Sequence, residues 1–527
     1  MNIQTTLWNI ILLSTLSTAS LSYAQSCDFD DCENNNLNSC ELFCCKPHFA
    51  IRSQASNTAR TLLGRAKDVH LAGYPDTSYH VANVTIGGSK TFRNDDQIGT
   101  YFSPACNNPC SKCGPCVTFG GNNEKVIDIR SADFGTSCTG SLCLCPKVSN
   151  IIAELDWFVG LHAFCEGLFF DIHIPVVHSR WSSGADSCTG SCSDFFAPGL
   201  MDSSTTQSTP VGTNCIADAV IGNFTWGDVF EPMHFGKISS KTLTKTGLAD
   251  LQLELGYDYF LAEDYHLGAK LILKIPTGNT PQAVHLFEPI VGNEGHFEFG
   301  IGATAHWILF TRHNDHRLVW YFEGDATHLF SSRKQMRLFD LKHNGCFSRY
   351  LLLKAFVNDS VSNLERGPNI FAQQIQTSFG IQVDMTSIWS YQTACWDFEL
   401  GYNYWARSHE NLEKLCCTIP LNTYGIKGIE PMTNNATASL STIKKSEGTH
   451  GTNDGATPIY ISCDDLNHCS ALVPSAQSYS VVGYIGYTNT NAPSEPYLGI
   501  GTQVEFSATG NAAFDQFHLW LKGGWSW

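Results

Sequence analysis

Residues Leu251 to Ile275 read Leu-Gln-Leu-Glu-Leu-Gly-Tyr-Asp-Tyr-Phe-Leu-Ala-Glu-Asp-Tyr-His-Leu-Gly-Ala-Lys-Leu-Ile-Leu-Lys-Ile. Side chains alternate between the two faces of a strand, so every second residue shares a face. Leu251, Leu253, Leu255, Tyr257 and Tyr259 fall on one face, with Gln252, Glu254, Gly256 and Asp258 on the other. After a turn at Ala262-Glu263-Asp264 the pattern repeats. Tyr265, Leu267, Ala269, Leu271, Leu273 and Ile275 oppose His266, Gly268, Lys270 and Lys274. Each arm has the roughly 9–11 residues of a tilted membrane strand. A soluble sheet also alternates, but its core would hold Glu254, Asp258, Lys270 and Lys274 at a large desolvation cost. A watered lumen removes that cost.

The same reading extends outward in both directions. Phe297 to Leu309 alternates apolar residues with Glu298, Gly300, Gly302, Thr304 and His306. Leu318, Trp320 and Phe322 oppose Glu323 and Asp325; Trp396 to Tyr404 opposes Asp397 and Glu399. Phe170, Ile172, Ile174 and Val176 face away from Asp171 and His173. The final stretch places Phe517, Leu519, Leu521, Gly523, Trp525 and Trp527 on one face and Gln516, His518, Trp520, Lys522 and Ser526 on the other. This ending resembles the terminal assembly signal of Gram-negative outer-membrane barrels, with Trp525 and Trp527 as its aromatics. The resemblance implies the barrel-assembly machinery as a partner.

Twelve candidate strands emerge, near 79–92, 152–164, 168–180, 250–260, 265–275, 296–311, 317–330, 373–386, 391–407, 477–488, 497–506 and 514–527. Tyr350 to Lys354 reads as another strand or a short helix; as a strand, together with the segment 126–134, it would raise the count toward fourteen. The expected fold is all-β: a transmembrane antiparallel β-barrel of 12–14 strands with a short N-terminal helical segment. Long Cys-rich extracellular loops fall near 93–150, 181–249, 331–372 and 408–476. Short turns near 165–167, 261–264, 312–316 and 387–390 share the opposite, periplasmic side, the asymmetry such barrels show.

The chain has 527 residues, and charged residues are only 15% of it, against about 25% in soluble domains. A net charge of −17 leaves no basic stripe for phosphates, which excludes nucleic acid as a partner. Leu7 to Leu21, followed by Ser22-Tyr23-Ala24, reads as a signal peptide over 1–24, although Met1 to Gln4 lacks Lys or Arg. No later run approaches the roughly 20 apolar residues of a membrane helix. Twenty-two cysteines, clustered in Gly/Ser/Asn-rich stretches, point to disulfides stapling loops in an oxidising compartment, with a disulfide-linked oligomer as one outcome. Cys110-x-x-Cys113-x-x-Cys116 lacks a fourth ligand at the usual spacing, so no metal or cofactor is expected.

Residues 25–76 form a separate Cys-rich N-terminal segment before a barrel spanning 77–527. Within it Ser53 to Leu71 reads as a helix with Ser53 as N-cap and Ala59, Leu62, Leu63 and Ala66 as an apolar stripe. That helix either lies in the periplasm or plugs the lumen.

Ile51-Arg52-Ser53-Gln54, Asn57-Thr58-Ala59-Arg60, Gly167 to Trp181, and Leu267 to Lys270 with Pro276 to Asn279 resemble uncharacterised outer-membrane proteins of intracellular bacteria of the Dependentiae type. The likeness covers most of the mature chain in patches and implies an outer-membrane barrel. In cysteine richness the chain is similar, by analogy, to the disulfide-linked major porins of chlamydiae.

No enzyme motif is present: G-x-S-x-G, H-E-x-x-H and the P-loop are all missing. His313 and His316 sit in a turn, and Asp171 with His173 is explained by lumen polarity. The expected function is a porin-like channel for small solutes. Its lumen would be lined by Asp171, His173, Glu254, Asp258, Lys270, Lys274, Glu298, Glu323, Asp325, Asp397, Glu399 and Lys522. The alternative is a non-conducting structural or adhesive surface protein with linked loops.

Overall fold

A computed structural model describes residues 46–72, 77–92, 98–102, 116–119, 130–196, 209–312, 316–342, 344–358, 360–427, 460–507 and 513–527. The signal peptide, Cys110, Cys113 and much of the candidate strand at 126–134 lie outside the described residues; Ser131–Phe134 forms a short 3-10 turn.

Twelve antiparallel strands close into one barrel. They are β1 (Tyr79–Thr91), β2 (Lys147–Gly160), β3 (Leu168–Ser182), β4 (Leu251–Leu261), β5 (Tyr265–Ile275), β6 (Glu298–Arg312), β7 (His316–Leu329), β8 (Ala372–Gln392), β9 (Trp396–Arg407), β10 (Ala476–Thr488), β11 (Tyr497–Ser507) and β12 (Gln516–Ser526). Each pairs with its neighbours in sequence, and β12 closes on β1 from Val81↔Ser526 to Thr91↔Gln516. The seam between β3 and β4 is short, from Gln252↔His173 to Tyr257↔Leu168. Beyond it β3 takes Leu243–Leu248 as a further partner. All twelve strands match the stretches read from alternation, because a closed sheet leaves no edge and must repeat one in/out pattern around its circumference. Boundaries move at two turns: β2 spans 147–160 rather than 152–164, and β8 runs on to Gln392, so the turn before β9 is at 393–395 rather than 387–390.

The connections are unequal at the two ends. At one end the links 161–167, 262–264, 313–315, 393–395 and 489–496 are short. At the other end the loops fold into a cap. There Leu352–Val357 joins Ser360–Arg366 and Tyr424–Ile426 in a separate three-stranded sheet. The Tyr350 to Lys354 stretch therefore adds a loop strand and not a barrel strand. Disulfides Cys116–Cys143, Cys138–Cys192 and Cys417–Cys463 tie distant parts of the cap, across 27, 54 and 46 residues. The expected stapling of loops is present. Among the described residues no helix is long and apolar enough to cross a membrane.

The outer surface of the barrel is apolar. Ile301, Leu400 and Leu498 are 63%, 64% and 63% exposed. Tyr259, Trp307, Tyr391, Trp396, Tyr487 and Trp527 ring the short-turn end, and Tyr402, Phe506 and Phe297 lie toward the cap. Leu519 and Leu521 face outward, whereas Trp520 between them is buried inside, against the neighbouring strand where Gly501 leaves room for its ring.

Trp520 and Leu521 therefore test the in/out assignment. Trp520→Ala opens an internal cavity and is expected to cost about 3–5 kcal/mol. Leu521→Ala, on the outer face, is expected to cost less than half of that. Urea unfolding of the folded protein in phospholipid vesicles measures both.

Candidate functional site

The lumen is occupied by the chain's own N-terminal segment. Residues 46–72 run from the cap end, where Lys46 donates to the Cys469 carbonyl at 2.6 Å, to the short-turn end, where His70 meets Asp258. The two placements left open by the sequence thus resolve in favour of a plug. The expected long helix is a single turn, Thr58–Leu62, capped by Asn57, whose side chain accepts from the Arg60 amide. Ser53 is not the cap. Its hydroxyl donates to Asp250 at 2.5 Å, an interaction with the wall that competes with local helix capping. Burial pushes the Asp250 carboxyl up to about 7, against the hydrogen bond from Ser53.

The plug has two unlike sides, and so does the wall. Ala59, Leu62, Leu63 and Ala66 pack on Val319, Tyr321, Ile388, Val482, Tyr484 and Trp520, inward residues of β7, β8, β10 and β12. The apolar stripe read from sequence is therefore the packing face, although most of it lies outside the helical turn. The polar side carries five Lys/Arg against one Asp over 46–72, in a chain whose net charge is −17. Those cations meet wall carboxylates. Arg52 reaches Asp384 at 2.5 Å and Glu505 at 3.4 Å. Arg60 forks onto Glu154 at 2.5 and 2.8 Å, and Arg65 reaches Asp171 at 2.7 Å. Lys67 pairs with Asp397 and donates to Thr488 at 2.6 Å. At the cap end His48 contacts Glu294 at 2.8 Å, and Glu294 also holds Arg337 at 2.8 Å.

The wall also holds the plug's backbone. Lys522 donates to the Arg60 and Thr61 carbonyls, and the Gly64 amide donates to Glu399 at 2.8 Å. Arg407 donates to the carbonyls of Ala50 and Ile51 at 3.0 and 3.2 Å. Gly64 has φ +82°, a conformation other residues adopt at a cost, and a Cβ there would lie 2.5 Å from the Tyr484 ring.

All twelve residues expected to line the lumen face inward and are buried. Asp171, Asp258, Asp397, Glu399 and Lys522 engage the plug through the contacts above. Lys274 donates to Ser56 at 2.7 Å and lies 3.5 Å from Glu298. Glu254, Glu323 and Asp325 instead surround Lys270 at 3.0, 2.5 and 3.1 Å within the wall. Asp171 and His173 do not pair with each other, since His173 turns to Asp156. The expectation missed Glu154, Asp156, Asp384 and Glu505 on the wall and Arg52, Arg60, Arg65 and Lys67 on the plug. A basic stretch in an acidic chain was the available signal. Between plug and wall a cavity of about 30 Å³, lined by Arg52, Asn57, Arg60, Glu505 and His518 among others, has room for about one or two waters.

No protein-family model and no curated protein matches the chain. Solved structures with a similar outline include an outer membrane channel from Pseudomonas putida F1, at 10% identity and TM-score 0.35, covering 86% of this chain and 99% of that one. A Pseudomonas aeruginosa FadL homologue has 8% identity and TM-score 0.28, covering 91% and 99%. The CymD monoaromatic hydrocarbon channel has 9% identity and TM-score 0.22, covering 90% and 93%. At such scores the likeness carries no functional argument, which rests on the barrel and its plug.

The Arg60–Glu154 pair is 4% and 1% exposed at its side chains. Removing one partner of such a pair strands a buried charge, at about 3–5 kcal/mol. Arg60→Ala is expected to destabilise the folded protein by that amount, and Arg60→Met with Glu154→Leu to recover most of it. Chemical unfolding of the three variants in detergent micelles checks this.

Proposed function

We propose that this chain is a plugged channel in the outer membrane of a Gram-negative bacterium, passing small polar solutes or cations when the plug moves. The observation that carries the proposal is the nature of the plug–wall contact. A barrel meant only as a solid support would be filled by interlocking wall side chains. Here a separate, terminal segment fills the lumen, and much of its contact with the wall is ionic or hydrogen-bonded. Water can replace such contacts when the segment shifts. The apolar belt with its aromatic rings suits a bilayer, which accepts strands only in a closed barrel. The short-turn end then faces the periplasm and the disulfide-tied cap faces outward. Terminal Trp525 and Trp527 suit recognition by barrel-assembly machinery, and the patchwise likeness to Dependentiae-type proteins accords with this setting. In this reading the chain transports and does not catalyse.

A second reading is a non-conducting surface protein, structural or adhesive. It is favoured by the cap, a folded, cross-linked layer larger than a pore needs. Cys165, exposed in a short turn, and the partly exposed Cys395 would allow disulfide-linked oligomers.

Planar-bilayer recording separates the two. The wall facing the plug carries more carboxylates than cations, so a variant lacking residues 46–72 is expected to conduct in stable steps with a cation preference. The intact chain is expected to conduct rarely or in short openings. Asp384→Asn with Glu154→Gln in the shortened chain should reduce the cation preference by about twofold or more. A folded, inserted barrel that stays silent even without the plug would sink the channel reading and favour the surface-protein one.

A further inference from the structure

At the inner end of the plug, three chemistry-bearing side chains from three chain segments converge. His70 is on the plug, Asp258 on β4 and His266 on β5, and one donor atom from each lies within 4.8 Å of the others. His70 Nδ1 is 2.9 and 3.1 Å from the Asp258 oxygens. The His70 ring lies parallel to that of His266, with centroids 4.3 Å apart and 8° between planes. Phe158 and Phe169 meet His70 edge-on at 5.3 and 4.7 Å, which screens its other sides from water. All three residues are buried, His266 to 4% exposure.

An Asp–His ion pair would account for His70 and Asp258 alone. It leaves His266 unexplained. The His266 Nδ1 is engaged by His306 of β6, and its Nε2 is buried without a hydrogen-bond partner among the described residues. A buried imidazole nitrogen with no partner costs about 1–3 kcal/mol. Two parallel imidazoles so close would repel if both were protonated. Neutral imidazoles are metal ligands, and a metal-bound histidine characteristically donates its other ring N–H to a neighbour. His306 is placed to receive that proton from His266.

We propose that His70, Asp258 and His266 form a binding site for one divalent transition-metal ion of the zinc or cobalt class, which joins the plug to the barrel wall at the inner mouth. Two imidazoles and one carboxylate suit these ions better than calcium or magnesium, which prefer oxygen ligands throughout. Coordination at about 2.0–2.1 Å requires the His70 ring to turn out of its stack on His266, because an imidazole binds a metal in its own ring plane. His306 acts as a positioning residue through His266. Because only His70 belongs to the plug, the ion acts as a clip on the plug's end, just before β1 begins. The site requires a seated plug and does not depend on the lumen being a conducting channel.

The test uses the full folded chain in detergent, stripped with a chelator and titrated with Co²⁺ by absorption and with Zn²⁺ by calorimetry. One equivalent is expected to bind saturably, with Co²⁺ ligand-field bands and a rise in unfolding temperature. His70→Ala and His266→Ala should each weaken binding by roughly tenfold or more, and His306→Ala by less. His234→Ala, an exposed histidine outside the cluster, should leave binding unchanged. If His266→Ala fails to fold, His70→Ala with Asp258→Asn still decides the matter. Absence of saturable binding, or wild-type affinity in the folded His70→Ala and Asp258→Asn proteins, would overturn the site.

Discussion

Closing twelve strands into a barrel satisfies every ladder but creates an interior that a sequence must fill or flood, and that constraint governs the rest of this structure. The inward residues of β2, β3, β8, β9 and β11 include Glu154, Asp156, Asp171, Asp384, Asp397, Glu399 and Glu505. Packed together without counter-charges they could not stay ionised in a dry interior. The N-terminal segment supplies the counter-charges at matching heights: Arg52, Arg60, Arg65 and Lys67 each meet a carboxylate. An apolar patch contributed by β7, β8, β10 and β12 then fixes the rotation of the segment by receiving Leu62 and Leu63. Charge pairing along its length sets how deep the plug sits, and packing sets which side faces which wall.

The two kinds of contact have different consequences. Apolar packing loses free energy when exposed to water, whereas a solvated ion pair loses little. A plug held largely by polar groups can therefore be displaced more cheaply than a hydrophobic core. The cap works the other way. Its disulfides and its three-stranded sheet restrain loops that a barrel rim alone would leave free. The structure thus joins a disulfide-tied outer layer to an inner segment held largely by polar contacts, and the proposed channel reading rests on that contrast.

How much was legible in the sequence differs by element. Strand alternation gave each barrel strand and the inward face of every expected lumen residue, because period-two patterning is imposed locally by the pleat and globally by the bilayer-facing exterior. The N-terminal segment was legible only as an apolar stripe. Its helix shrank to Thr58–Leu62 because wall groups such as Asp250 and Asp384 outcompete local hydrogen bonding. The Tyr350 to Lys354 stretch shows the reverse error: its strand propensity is real, but its partners are in the loops.

By itself the sequence determined the closed barrel, a strand count of 12–14, the in/out assignment of its side chains and the stapling of its loops, since each follows from residue spacing along the chain. Only the tertiary structure decided that the lumen is filled, that Asp171 answers Arg65 and not His173, and that His70 meets Asp258 and His266. Those pairings join residues far apart in sequence across the barrel interior, and no local periodicity records them.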